Sequence, residues 1–418
     1  VKRRDTPVNA TGGSGALSSI VLPVDQLHPI TAKVNNVDAP YALHPSMGDM
    51  ASMYRGGKLA ILGNVGPLRT PLTREQYNSG NQDLRVPGLY SHNDQQTLWQ
   101  SGRTNIDSGG WAGRFVETMN KSGFVASSPF LSINTAAQSS NFGNGDSLPT
   151  YALTPNTDGA IQIGLARDAN DLVFNAALRS KLVTLARGEA GGALTNMLEA
   201  DYAKVVKSSD EARKLLAARL PGLSMASVTR PAGIPGYGTP MLDELDVIAR
   251  MIKYNVSNNI AGRQVFFVRH DGFDTHGPQL EAHARLLKQL NDAMFYFQSV
   301  LEANTMSNNV TTFTASEFGR QLANNGDGTD HGWGAHHFIM GSAVQGGQIY
   351  GRVPSYLRDN LGNYLDPNMV EASGVMLPQV SVDQYSATLG TWLGMRSDDL
   401  KQVLPYHFGT TNLGFMKA

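Results

Sequence analysis

The sequence contains no cysteine. That absence removes disulfides, thiolate metal sites and cysteine nucleophiles together. It also lacks any run of roughly 18 or more apolar residues, so a membrane-spanning helix is not expected. Charge is scarce: Asp, Glu, Lys and Arg make up 17% of the chain, and the formal net charge is -1. No dense Lys/Arg cluster offsets this, so nothing in the chain creates a long-range field for nucleic acid. A start methionine and a signal peptide are missing as well. The chain opens Val1-Lys2-Arg3-Arg4-Asp5, which reads as a processed N-terminus or as residues left out upstream. What remains is 418 residues, 41% of them hydrophobic. That supports a sizeable core in one large α/β domain or two ordinary ones. Abundant Asn, Ser, Thr and Gly fit an exported protein, and a cysteine-free chain is compatible with an oxidising compartment.

The hydrophobic pattern alternates helix with buried strand. Ala42–Gly56 reads as a helix, and Leu59–Val65 reads as a buried parallel strand. Strand-like pieces occur at Phe130–Ile133 and Ile161–Leu165, and a helical stretch covers Leu194–Leu215. The region from about 125 to 235, interrupted by Asn, Ser and Gly, reads as cap-like insertions in a single domain spanning 1–418. Beyond 240 the signal sharpens. A helix over Met241–Asn255, a buried strand over Gln264–Val268, a long helix over Leu280–Leu301 and a strand over Val310–Ala315 suggest a right-handed crossover unit. His337–Met340 reads as one more strand. In sheets of this kind ligands gather at the carboxyl ends of the strands.

Polar clusters sit at those ends. The first runs from His270 to His276, with Asp274 and His276 two apart. They can present an oxygen and an imidazole to one ion, or merely cap the next helix. The second contains Glu317 and Arg320. A carboxylate just past a buried strand needs a partner, which is either Arg320 or a metal. The third, from Asp327 to His337, packs Asp330, His331, His336 and His337 among glycines. Imidazole with carboxylate suits zinc, manganese or iron, whereas carboxylates alone suit calcium or magnesium. Upstream, Ser91 precedes a helix bearing Gln95 and Trp99. It is a good N-cap, and a serine oxygen there also faces the positive end of the helix dipole, where phosphate or sulfate is welcome.

Taken together these stretches resemble a known family. The match is carried by Leu43-His44-Pro45-Ser46, Leu59–Gly66, Ser91-His92 and Gly110-Trp111-Ala112-Gly113-Arg114. It continues through Gly272-Phe273-Asp274-Thr275-His276, Ser316-Glu317-Phe318-Gly319-Arg320, Thr329-Asp330-His331-Gly332 and Ser381-Val382-Asp383-Gln384-Tyr385. The chain resembles the bacterial exported proteins of domain of unknown function 1501, a branch of the alkaline phosphatase and sulfatase superfamily.

The resemblance implies a three-layer α/β/α sandwich with a mostly parallel central sheet. It further implies export, often by the twin-arginine route, to the periplasm or beyond. It makes Ser91 the nucleophile of a metal-dependent hydrolase of phosphate or sulfate esters, with Asp274, His276, Glu317, Asp330 and His331 as ligands of divalent ions. His336, His337 and Arg320 would stabilise charge or bind substrate. The chain departs from the family twice. Relatives begin with a strand ending in a Gly-Gly-Asn-Asp type motif that supplies a ligand; nothing in residues 1–40 matches it. That strand is expected on an upstream N-terminal peptide, or else as a gap in the sheet. Relatives also carry Asp at the position of Glu317. The alternative function is a non-catalytic surface or matrix protein that retains the fold.

Overall fold

The computed structural model describes residues 20–417, except 35–36, 104–108, 127, 129, 136–139, 156–160, 163–213, 215, 217, 219, 221, 240, 259 and 261. A hairpin comes first: β1 (His28–Val34) pairs antiparallel with β2 (Val37–Leu43). α1 (Gly48–Arg55) starts six residues later than its pattern suggests, because Ala42 and Leu43 pair with Pro29 and His28. β3 (Leu59–Gly66) is buried along its whole length. There follow α2 (Arg74–Asn78), α3 (His92–Ser101), α4 (Trp111–Lys121), β4 (Ser132–Asn134), β5 (Tyr151–Ala152) and the small pair β6 (Thr154–Pro155) and β7 (Ile161–Gln162).

The C-terminal half contains α5 (Leu242–Ser257), β8 (Val265–Phe267), α6 (Gln279–Ala303) and β9 (Thr312–Phe313). β10 (Arg320–Asn324) and β11 (Thr329–His331) form a hairpin ahead of β12 (Ala335–Met340). β13 (Ile349–Gly351), β14 (Met369–Val370), β15 (Val375–Met376), β16 (Val380–Ser381), α7 (Val382–Leu393) and α8 (Ser397–Val403) complete the chain. The helix expected over Leu194–Leu215 and most of the cap-like region lie outside the described residues. So do Thr11–Gly15, while Ile20–Pro23 forms no strand.

The result is an α/β protein with mixed sheets. The main sheet runs β13-β3-β12-β9, with β16 also beside β3. β13 and β16 are parallel to β3, whereas β12 is antiparallel to both β3 and β9. Alternation along β3 sends Ala60 and Leu62 to a core shared with α4 and α7, and Val65 joins them beyond an irregularity in the pairing with β12. Leu59 and Ile61 face a core shared with α1 and α6. β3 thus carries helices on both faces, which is why its sequence is apolar without alternation.

A second sheet, β5-β4-β8, is entirely parallel. Here the structure departs from the sequence reading. β8 and β9 flank α6 but do not share a sheet: among the described residues β8 pairs with β4 and β9 with β12. An apolar cavity of about 1240 Å³ lies between them. The crossover unit expected over 264–315 is therefore not closed by hydrogen bonds. Both strands, expected to be buried, are only half-buried because each turns an edge to that cavity.

Two charged groups of the sequence motifs turn out to be internal clamps. Arg114 is 2% exposed and donates to the carbonyls of Gly109, Ser101 and Val403, tying α4 to the ends of α3 and α8. Asp383, also 2% exposed, accepts from Tyr406 N–H at 2.6 Å. Burial pushes the Asp383 carboxyl up to about 7, against that hydrogen bond and the charges of Arg114 and Arg103. An unfolded Asp titrates near about 3.9. Stability from this group is therefore full below that value and is lost as pH rises toward about 7, because the folded state holds the proton longer. Asp383→Asn is expected to flatten this part of the stability curve, read by urea unfolding from about pH 4 to about pH 8. An unchanged slope would assign the pH dependence to other groups.

Candidate functional site

Four separate parts of the chain meet at one surface cleft. The loop leaving β8 delivers Asp274 and His276. The loop leaving β9 delivers Glu317. The β10–β11 hairpin delivers Arg320, Asp330 and His331, and the first residue of α3 is His92. The loops touch closely because Gly328 has no side chain: a Cβ there would sit 2.3 Å from the backbone carbon of His276. Thr329 N–H donates to the Thr275 carbonyl at 3.1 Å, and Gln279 N–H to that of Asp327 at 2.9 Å. The glycine-rich stretch between the acidic and basic residues therefore serves close backbone approach.

Asp274 is the hub. Its Oδ1 receives Arg320 Nη1 and lies 3.0 Å from His276 Nε2 and 3.1 Å from His331 Nε2. Its Oδ2 lies 3.2 Å from His92 Nε2. The other nitrogen of His92 is 2.9 Å from Glu317 Oε1, so one imidazole bridges two carboxylates. His276 Nδ1 reaches Asp330 Oδ1 at 3.2 Å, and Asn325 Nδ2 donates to the same oxygen at 2.7 Å. Gln96 Nε2 donates to Glu317 Oε1 at 3.4 Å. Ligand atoms of His92, Asp274 and His331 all lie within 4.8 Å of one another.

Partners assign the proton positions. His331 Nδ1 is 2.8 Å from the Tyr90 carbonyl, which can only accept, so Nδ1 carries the hydrogen. A neutral His331 then points a lone pair from Nε2 at a carboxylate oxygen and at His276 Nε2, 3.1 Å away. Such an arrangement needs a proton or a cation between the groups. Partial burial pushes the Asp274 carboxyl up, but the hydrogen bond and charge of Arg320, with His276 and His331, hold it below the ordinary range. Glu317 is likewise raised by burial and brought below its usual value by His92 and Gln96. Both carboxylates are thus ionised at neutral pH, as ligands must be.

Sequence reasoning named Asp274, His276, Glu317, Asp330, His331 and Arg320, and the structure brings all six together. His92, beside Ser91 at the start of α3, joins them without being among the residues that the sequence pattern singles out. The missed signal was a histidine at the first turn of a helix whose next turn carries Gln95 and Gln96. Ser91 occupies the N-cap of α3, but its side chain makes no cap hydrogen bond. His336 is exposed, and its Nδ1 accepts from Asn64 N–H at 3.0 Å. His337 lies apart from the cluster: it is 3% exposed, between Trp99 and Tyr385, with Nδ1 3.4 Å from Thr314 Oγ1. Burial and the neighbouring His336 push it down to about 3, so it is neutral.

Residues 257–401 match the family described as protein of unknown function (DUF1501). This stretch contains every cluster residue except His92, and it supports the family resemblance read from the motifs. Among curated proteins, none matches the chain. No helix of the described residues is long and apolar enough to cross a membrane.

Proposed function

We propose that this cleft is a divalent-metal centre and that the protein is an exported hydrolase of phosphate or sulfate esters, built as an alkaline phosphatase-like three-layer α/β/α sandwich. The observation that carries the reading is the fixed tautomer of His331. Its Nδ1–H is held by the Tyr90 carbonyl, so the bare Nε2 converges with Asp274 and His92, as second-shell partners orient metal-binding histidines. The mixed nitrogen and oxygen donors suit zinc or manganese better than calcium or magnesium. His92, Asp274 and His331 would hold the ion, with His276, Glu317 and Asp330 beside them.

When bound, a divalent ion supplies Lewis-acid polarisation of the ester oxygen. The chain's own residues supply the rest. Ser91 stands at the start of the ten-residue helix α3, where the dipole favours an anionic group and a developing alkoxide. Its hydroxyl makes no cap bond, so it can attack phosphorus or sulfur; the bond to the ester's alcohol breaks, the alcohol leaves with the serine proton, and water then releases phosphate or sulfate from the serine. Arg320, anchored on Asp274 and on the Thr329 carbonyl, brings a permanent positive charge to the cleft for the substrate anion.

Turnover of p-nitrophenyl phosphate and p-nitrophenyl sulfate, with zinc, manganese, magnesium or calcium added in turn, tests the reading. Ser91→Ala is expected to lower the rate by about 1000-fold or more while metal content stays unchanged. Equal rates for the two proteins would remove Ser91 from the mechanism, and no turnover of either ester with any metal would sink the hydrolase reading.

A further inference from the structure

The residue whose carbonyl fixes His331 is itself held in an uncommon conformation. Tyr90 lies in a turn closed by Ser91 N–H to the Gly88 carbonyl at 2.9 Å. Its φ is +72°, in the left-handed region where glycine or asparagine is usual in such turns. A tyrosine stays there only if its surroundings hold it. Its N–H donates to Gln95 Oε1 at 2.5 Å, and its carbonyl accepts from His331 Nδ1 at 2.8 Å. Its phenol meets two groups outside the cluster: the Tyr77 hydroxyl at 2.7 Å and Glu371 Oε1 at 3.0 Å. Tyr77 donates to the same carboxylate oxygen. Burial and that hydrogen bond push the Tyr77 phenol up to about 12, so it keeps the proton it donates.

Glu371 is left-handed too, at φ +58°, in the turn between β14 and β15. This turn is fastened to β10. Leu322 N–H donates to the Gly374 carbonyl at 3.1 Å, and Ala323 N–H to that of Ser373 at 2.8 Å. β10 pairs with β11, which ends at His331. The path therefore closes on itself. One structural unit grips Tyr90 at the phenol through Glu371 and at the carbonyl through His331. Two residues in a strained conformation are bonded to each other beside the cleft, and strain of this kind gathers where a site depends on it.

We propose that Glu371 and Tyr77 are positioning residues for the candidate site, acting through the phenol of Tyr90 to keep its carbonyl on His331. The Tyr90 carbonyl and the Ser91 N–H belong to one planar peptide unit, so the same clamp sets the entry of α3 and with it Ser91 and His92. The inference needs neither a bound ion nor the hydrolase reading, because it concerns only how the empty cleft is shaped.

Nitrogen-15 spectra of the histidine side chains in the metal-free full chain test it, taken near about pH 8.5, where an ordinary imidazole is neutral. His331→Gln assigns the His331 signals. In the parent chain His331 should show one form, with the hydrogen on Nδ1. Tyr90→Phe and Glu371→Ala should each move its tautomer ratio by about tenfold toward Nε2–H, the scale on which the loss of a histidine's outer partner is felt. Combining the two should add nothing further, since both break one path. Glu371→Gln, which keeps an acceptor oxygen, should restore the parent spectrum. His337, buried apart from the cluster, reports on the fold, and its signals should stay in place throughout. Glu371 is exposed, so its replacement leaves the core intact. Unchanged His331 signals in both single variants would overturn the proposal. So would a parent His331 with its hydrogen on Nε2, a Gln variant that behaves like the Ala variant, or His337 signals that move as far as those of His331, which would mean a general loosening.

Discussion

Asp274→Asn is expected to abolish retention of a divalent ion, with affinity falling by about 100-fold or more. Ester turnover should fall with it. The carboxylate is the one group that faces Arg320, His92, His276 and His331 together. Asn keeps the shape and removes the charge. It also turns an acceptor into a donor against imidazole nitrogens that already need a cation or proton between them. Changing an outer partner of a metal ligand typically costs about 10- to 100-fold in affinity, and Asp274 is proposed here as a ligand itself. Calorimetric titration of zinc or manganese into the chelator-treated proteins checks this. Equal affinity for the two would show that Asp274 only pairs with Arg320, the plain structural role its position past a strand also allows.

The largest stability effect is expected at Gly110. A Cβ at this position would lie 2.1 Å from the carbonyl oxygens of both Asn141 and Phe142. Neither is the end of a flexible side chain, so the backbone itself must move. Gly110 caps α4, whose residues Trp111, Ala112, Phe115 and Val116 are in the main core. The shift is therefore passed into packed side chains. Gly110→Ala should lower stability by about 3 kcal/mol, at the upper end of overpacking costs. Gly222 is the control, since open space lies where its Cβ would point. Gly222→Ala should stay within about 0.5 kcal/mol of the parent. Urea midpoints measure both, and a Gly110→Ala midpoint equal to that of Gly222→Ala would contradict the packing argument.

The parts of this molecule that the sequence made legible are those where one element answers for itself. α5 and α6 were readable because Leu245, Ile248 and Ile252, or Met294, Phe297 and Leu301, repeat at helical spacing and bury one stripe. β3 was readable because all eight residues are buried. The cluster residues were readable because His, Asp and Glu gathered just after apolar runs. What stayed hidden depends on pairs of elements. The β10–β11 hairpin is short and polar, so it read as loop, yet it aims Arg320, Asp330 and His331 at Asp274. His92 belongs to the cluster only because α3 lands against the β9 exit. The cavity between β8 and β9 is the clearest case. Val265–Val268 and Val310–Phe313 are apolar enough to predict burial, but periodicity does not say what lies against the edge of a strand. Their half-buried state follows from what the neighbouring space contains.

The central claim is that His92, Asp274 and His331, steadied by their neighbours, form a metal centre. The most direct measurement is the metal content of the full chain by mass spectrometry of the elements. The protein would be loaded with zinc or manganese and then dialysed extensively against metal-free buffer. The account expects at least one tightly held ion per chain, lost in parallel in His92→Ala, Asp274→Asn and His331→Ala. A chain that retains no ion under these conditions, or one whose ion survives all three substitutions, would contradict it.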